Sequence, residues 1–324
     1  MPSDEIRVDL QDALAALRPP DRTDIVAHRA NVAAGVRREA AQLDPHGVLI
    51  SDVHVPDPSG ATPSLRLRLY RPAGSATPRA GVLWMHGGAF STGLPEACDR
   101  IARDIVEALG VAVVSPDYRL APEFPFPAAF EDCLRALEWM RAEEGLGLGR
   151  VAVAGASAGG TLAAALALHA RDDGGEPLSL QLLLYPPLDD RQDGDWDQEY
   201  ARTPIITSED TRTMWRRYLP EGEPVSPYAV PGRAADLSGV APAYLCLADN
   251  DPLRDGGLEY ARRLIRSGVP TELHHLPGTF HGFDAIAPDA PVTRAVVDSY
   301  LGALRAALLE DPVVAAAPQS HVQA

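Results

Sequence analysis

Five unbroken apolar runs constrain this chain more than any other feature: GVLWMH at 81–86, VAVVS at 111–115, RVAVAG at 150–155, LSLQLLLY at 178–185 and PAYLCLAD at 242–249. Each has the length of a strand, and none alternates polar with apolar residues, so both faces of each must be covered. Helix-like segments separate them, which is the strand–helix–strand signature of a parallel sheet. Two earlier runs differ. VLISDVHV at 48–55 and LRLRLY at 65–70 precede the series. The strict alternation of Leu65, Leu67 and Leu69 with Arg66, Arg68 and Tyr70 predicts one wet face and an antiparallel start to the sheet. The fold class is α/β: a doubly wound, mostly parallel sheet with antiparallel first strands. The 324 residues, 46% of them hydrophobic, suffice for one large core.

Three segments lie outside that frame. Residues 9–43 read as helical but broken at Pro19-Pro20, an appendage ahead of the sheet. About fifty residues separate LLLYPPLDD from PAYLCLAD. Within them Asp189 to Glu199 fits a solvated acidic loop, and SEDTRTMWRRYL reads as a helix capped by Ser208. An insertion of that length normally covers the carboxyl ends of the strands, and Trp215 and Tyr218 need a surface to pack against, so the segment reads as a cap. The last residues, PVVAAAPQSHVQA, read as a frayed tail. The expected divisions are 1–45, N-terminal cap helices; 46–185, core; 186–225, cap insertion; 226–310, core; and 311–324, tail.

The formal net charge of −16 and a pI of about 4.9 make nucleic acid or an anionic membrane an unsuitable partner. Cys98, Cys133 and Cys246 include no CxxC pair, which argues against a disulfide framework or a thiolate zinc site and fits buried small hydrophobes. No run approaches the roughly 18 apolar residues of a membrane span, and the acidic start MPSDEIRVDL lacks an apolar segment, so a soluble, cytoplasmic protein is expected.

GASAGG at 155–160 places Ser157 at a strand-to-helix joint, flanked only by Gly and Ala. Alone, this is either a tight turn or a nucleophile elbow, whose small neighbours let a serine Oγ project from a strained turn. Three other segments decide between them. WMHGGAF (84–90) ends a strand with small residues whose backbone N–H groups can face a pocket. ADNDPLRDGG (248–257) ends a later strand with carboxylates, and GTFHGF (278–283) carries His281. Oxyanion segment, serine, acid and histidine thus occur in the order of an α/β-hydrolase. Of the three acids, Asp255 precedes an apolar-periodic helix and suits an N-cap, while Asp249 suits an Asx-turn. Asp251 is stiffened by Pro252 and suits the projecting acid of a triad.

Through HGGAF, SPDYRLAPEFPFPAAFED, GASAGG, YPPLD, DPLRD and HGF the chain resembles the bacterial hormone-sensitive-lipase-like esterases (family IV α/β-hydrolases), as far as about residue 310. The resemblance implies a carboxylic ester hydrolase acting on small to medium acyl esters, with a helical cap built from the N-terminal helices and the insertion. A lactone or amide hydrolase, or a non-catalytic binding protein on the same fold, is the alternative. Ser157 then corresponds to the nucleophile, His281 to the base and Asp251 to its orienter. The segment from Gly87 to Phe90 corresponds to the oxyanion loop, with N–H donors at Gly88, Ala89 and Ala158, and Phe90, Trp215 and Tyr218 are candidates for the substrate pocket. Asp117, Arg119 and Glu123 are expected to form a buried ionic network. No metal or organic cofactor is implied; the partners are a small-molecule ester and a second copy in a homodimer. Two residues depart from the family pattern: Ala89 replaces a common glycine, which implies that no positive φ is needed there, and Ala156 replaces a common aspartate.

Overall fold

The computed structural model describes residues 5–310 except 19–20, 58, 75–77, 143–145, 147 and 192–193; the expected tail at 311–324 and the Pro19-Pro20 break lie outside the described residues. One eight-stranded sheet organises the rest. Its strands are β1 (Val48–Val55), β2 (Leu65–Pro72), β3 (Ala80–Met85), β4 (Ala112–Pro116), β5 (Arg150–Ala156), β6 (Leu180–Leu184), β7 (Ala243–Asn250) and β8 (Thr271–Phe280), in the order β1-β2-β4-β3-β5-β6-β7-β8. The pairs β1–β2 and β2–β4 are antiparallel and all others parallel.

The apolar runs are continuous because successive residues enter two different cores. Leu83, Val153, Leu183 and Leu245 face one side, under α4 (Ala128–Ala142), α5 (Ala158–Asp172) and α8 (Arg254–Arg266). Their neighbours Val82, Ala152, Leu182 and Tyr244 face the other, under α3 (Asp99–Leu109) and α10 (Pro291–Leu309). Cys98, Cys133 and Cys246 are free and buried in these cores. Strand β8 lies outside the five runs because it is an edge strand, buried only at its last three residues.

The second face of β2 is not wet. Arg66 and Arg68 are only 20% and 17% exposed, and they form ion pairs with Asp52, Glu96, Asp99 and Asp117. The DYRLAPE residues do not share one buried network either. Asp117 bonds Arg66, Arg119 bonds the buried Asp132, and Glu123 bonds Arg29, with Asp117 and Glu123 both largely exposed. Each acid–base pair ties a different element to the loop after β4.

Before the sheet run α1 (Val8–Ala16) and α2 (Ile25–Ala40), the latter capped by Asp24, whose side chain accepts from the amides of Val26 and Ala27. The insertion between β6 and β7 carries α6 (Trp196–Glu199) and α7 (Ser208–Tyr218). The cap of α7 is Thr207, not Ser208, in a reciprocal capping box with Asp210. Asp189 to Glu199 is not merely solvated: Trp196 is buried and donates its indole N–H to the Pro252 carbonyl (3.1 Å), and Glu199 pairs with Arg254 (3.2 Å). A single turn, α9 (Phe283–Ile286), precedes α10.

Candidate active site

Four sequence segments meet where parallel strands end. Ser157 follows β5, Asp251 follows β7, His281 follows β8, and the HGGAF loop follows β3. Ser157 sits at φ 54°, ψ −126°, a conformation unusual for a side-chain-bearing residue. The flanking glycines explain how the turn closes. A Cβ on Gly155 would lie 2.3 Å from the carbonyl of Gly159, and one on Gly159 would lie 2.1 Å from the oxygen of Met85. Positions 156 and 158 accept alanine; 155 and 159 have no room for a methyl.

Ser157 Oγ is 2.9 Å from His281 Nε2, and His281 Nδ1 is 2.8 Å from Asp251 Oδ2. All three residues are buried, with Ser157 at the rim of the cleft at 9% exposure and Asp251 fully enclosed. The other Asp251 oxygen accepts the Leu253 amide (2.9 Å), which fixes the carboxylate plane. The sequence-expected serine, histidine and acid are therefore one hydrogen-bonded chain. The two rival acids have other tasks. Asp249 lies inside β7 and clasps β8, accepting the Gly278 amide (3.1 Å) and facing His275 Nε2 (3.2 Å), so it forms no Asx-turn in its own loop. Asp255 does not cap α8; it accepts the Tyr200 hydroxyl (2.8 Å) and the Arg254 guanidinium (2.9 Å).

The HGGAF loop turns through three successive left-handed residues, Gly88 (φ 127°), Ala89 (φ 52°) and Phe90 (φ 55°). Position 89 therefore does take a positive φ, contrary to expectation, at a cost to Ala of about 1–2 kcal/mol. Surrounding bonds hold the turn. The Gly88 carbonyl accepts the amides of Ser91 and Thr92 (2.9 Å each) and the Thr92 hydroxyl (3.1 Å). The amides of Gly88, Ala89 and Ala158 have no protein acceptor among the described residues. Beneath the loop, His86 contributes its Nδ1–H to the Gly87 carbonyl (2.8 Å) and stacks on Tyr118 at 4.2 Å. Burial lowers His86 to about 4, so the ring is neutral.

Phe90, Trp215 and Tyr218 do not line the cleft. Phe90 is fully buried and stacks on Tyr218 with ring centroids 3.7 Å apart, and Trp215 lies 6.0 Å from Phe90. They are the floor under the loop rather than the pocket. Ser157 instead lies on a connected cavity of about 1290 Å³ whose lining includes Val32 and Val36 from α2, Met214 from α7, and Ile206 and Leu253, and which runs on to residues of α3 and α10. Sequence reading also missed Tyr185, whose ring meets His281 edge-on at 4.9 Å and whose hydroxyl donates to the half-buried Asp284 (2.6 Å). Desolvation raises the Asp284 carboxyl above its usual range. Tyr185 opens the YPPLD motif and Asp284 directly follows HGF, but neither motif says what the tyrosine hydroxyl meets, because the two residues lie 99 positions apart.

Among the described residues no group of three His, Cys, Asp or Glu side chains is placed to hold a metal ion, and no helix is long and apolar enough to cross a membrane.

A family model for the alpha/beta hydrolase fold matches residues 82–285, which include Ser157, Asp251, His281 and the HGGAF loop but not helix α2. The chain belongs to the α/β-hydrolase family. Within that family it falls with the hormone-sensitive-lipase-like members that its motifs indicate. This α/β-hydrolase is 41% identical over 239 residues to esterase LipI of Mycobacterium tuberculosis, covering 70% of this chain and 72% of that protein. It is 36% identical over 296 residues to the carboxylic ester hydrolase LipN of the same organism, covering 88% and 77%. Among solved structures it superposes on a bacterial heroin esterase with a TM-score of 0.89 at 38% identity, over 94% of this chain and 99% of that one. Esterase LipW from Mycobacterium marinum gives 0.87 at 35% identity, over 96% and 99%.

Proposed function

We propose that this α/β-hydrolase cleaves carboxylic esters of small to medium acyl chains through a covalent acyl-enzyme on Ser157. The hydrogen-bonded chain from Ser157 through His281 to Asp251 carries the reading. Ser157 Oγ attacks the ester carbonyl as His281 Nε2 takes its proton, and Asp251 holds the imidazole in the tautomer that leaves Nε2 free to accept. The developing oxyanion is bound by the free amides of Gly88, Ala89 and Ala158, and Gly87 shapes the turn that presents them. Collapse of the tetrahedral intermediate returns the proton from His281 to the departing alkoxide, releasing the alcohol. Water, deprotonated by His281, then attacks the acyl-enzyme, and a second collapse frees the acid and Ser157. Every step uses groups already in contact, so no cofactor enters. The names of the relatives, esterases and carboxylic ester hydrolases, support the substrate class. In the same reading α2 and the insertion are a two-part cap whose wall, including Val32, Val36 and Met214, selects the acyl chain, while α1 packs against β8 and α10 and adds nothing to that wall.

The test is a panel of p-nitrophenyl esters from acetate to decanoate, with a γ-lactone and an anilide, on the wild type and Ser157→Ala. Hydrolysis of the short and medium esters, with loss of about 10³- to 10⁶-fold in kcat on removal of the hydroxyl, is expected. Turnover of the lactone or anilide alone would move the chain to another substrate class, and a Ser157→Ala variant with a tenth of wild-type turnover would remove the nucleophile assignment.

A further inference from the structure

Helix α2 has no fully buried residue, so its seat on the core depends on polar anchors. The most elaborate is Arg29. Its Nε donates to the Ser91 carbonyl (2.9 Å), one Nη to the Ala121 carbonyl (2.9 Å), and both Nη atoms to the Glu123 carboxylate (2.8 Å each). These acceptors are not arbitrary points on the core. Ser91 follows the three left-handed residues of the HGGAF loop and donates its own amide back to Gly88. Ala121 donates its amide to the Phe90 carbonyl (2.8 Å). One guanidinium therefore spans the end of the oxyanion loop and the backbone that braces it from the far side. Ala89 and Phe90 carry Cβ atoms in a conformation that L residues rarely adopt, and such a loop persists only where its surroundings over-determine it.

We propose that Arg29 is a positioning residue for the oxyanion hole: with α2 seated, its guanidinium holds the 88–91 segment in the shape that presents the Gly88 and Ala89 amides. Cap docking and competence of the hole are then one event rather than two. A second link, Arg22, bonds Asp210 of α7 (2.8 Å) and the Ile205 carbonyl (2.7 Å), so both parts of the cap move with the loop. Glu123, from the DYRLAPE block, acquires a role as the carboxylate that orients the fork of Arg29. A lysine cannot substitute for that fork, because an ammonium is a point charge without a planar array of donors. The proposal rests on the esterase reading above and on Gly88 and Ala89 as donors.

The experiment measures kcat and KM on p-nitrophenyl acetate, an acyl group too small to need the cap wall, for the wild type, Arg29→Ala, Arg29→Lys and Glu123→Gln, with melting curves for each. Losing one hole donor outright costs about 10²- to 10³-fold in kcat, so a displaced loop is expected to cost Arg29→Ala about tenfold or more in kcat with KM little changed. Low, non-denaturing guanidinium chloride should restore part of that turnover where equal sodium chloride does not. Arg29→Lys should fall between, and Glu123→Gln, which keeps both carbonyl bonds but loses the charge that orients the fork, should lose kcat in the same sense and by less than Arg29→Ala. If Arg29→Ala does not fold, Arg29→Lys decides the matter by the same kcat criterion. A folded Arg29 variant with wild-type kcat on acetate, changed only in melting temperature or in KM for longer acyl chains, would overturn the proposal and leave Arg29 as a fastener. A wild type that hydrolyses no ester refutes the functional reading, whereas an esterase whose turnover ignores Arg29 refutes this proposal alone.

Discussion

Replacing Gly159 with alanine adds one methyl group where three backbone atoms already stand. The new Cβ would lie 2.1 Å from Met85 O, 2.6 Å from Met85 C and 2.7 Å from His86 O, more than 1 Å inside the 3.4 Å edge of ordinary contact for the first of them. None of these atoms can rotate away, and β3 is held between β4 and β5. The first turn of α5 must therefore withdraw by about 1 Å, taking Ser157 and the Ala158 amide with it. Overpacking of a rigid site costs about 1–3 kcal/mol, and the upper end applies because the neighbours are main chain. The gain from alanine in a helix, about 0.5–1 kcal/mol, offsets part of this, leaving a net loss of about 2 kcal/mol and a melting temperature lower by several degrees. Misplacing a nucleophile by about 1 Å costs about 10²-fold in rate. Differential scanning calorimetry and p-nitrophenyl butyrate kinetics read both effects. Gly302→Ala is the control: it lies within α10 with nothing inside 4 Å of the added Cβ, and it should stabilise by about 0.5–1 kcal/mol without touching kcat. A Gly159→Ala enzyme with wild-type melting and turnover would refute the view that this glycine is required for close approach of helix and strand.

Asp251→Asn should lower kcat by about 10³- to 10⁴-fold with KM nearly unchanged, because the wrong imidazole tautomer is then held; Asp249→Asn and Asp255→Asn should cost far less, and a larger kcat loss in either would transfer the role. His86 stays neutral when folded, down to about pH 4, but takes a proton near its ordinary 6.5 when unfolded. The unfolded chain thus binds the extra proton in that window, and stability contributed above pH 6.5 is lost as pH falls to 4, by about 3 kcal/mol in all. Urea unfolding of wild type and His86→Gln across that range should show the steeper decline only in the wild type, and parallel curves would contradict it. Thr207→Ala removes the hydroxyl half of the α7 capping box and should lower stability by about 1 kcal/mol, whereas Ser208→Ala should not; the reverse order in melting experiments would restore Ser208 as the cap.

The central strands were legible because burial on both faces leaves an unmistakable apolar run, and the triad was legible because its members follow strand ends in a fixed chain order. Strand β8 left a fainter trace, since an edge strand with one exposed face carries neither a continuous nor a clean alternating pattern, and it was legible only as the stretch ahead of His281. The φ of Ala89 was equally hidden: an alanine does not advertise a left-handed conformation, which here is imposed by the bonds to Gly88 O and by the Phe90–Tyr218 stack. The same stack explains why Phe90, Trp215 and Tyr218 were misplaced in the pocket. Aromatic residues next to a catalytic motif satisfy one packing rule whether they face a ligand or the floor beneath it. Asp255 misled because an acid in the first turn of a helix resembles a cap, and only the position of Tyr200, 55 residues away, shows what it holds.

The placement of the three cysteines sets how the protein can be handled and watched. Cys98 is pushed up to about 12 by desolvation, and Cys133 and Cys246 are likewise raised by burial. Almost no thiolate is present at neutral pH, and a water-borne reagent cannot reach Cys133 or Cys246 without opening a core, whereas Cys98 borders the cavity at Ser157. Alkylation of Cys133 and Cys246 by iodoacetamide, read by peptide mass, therefore becomes a clock for opening of the two cores rather than a probe of surface chemistry. A fluorophosphonate would meanwhile report Ser157 free of thiol background, so one sample can be scored at once for how much of it is folded and how much of it is armed.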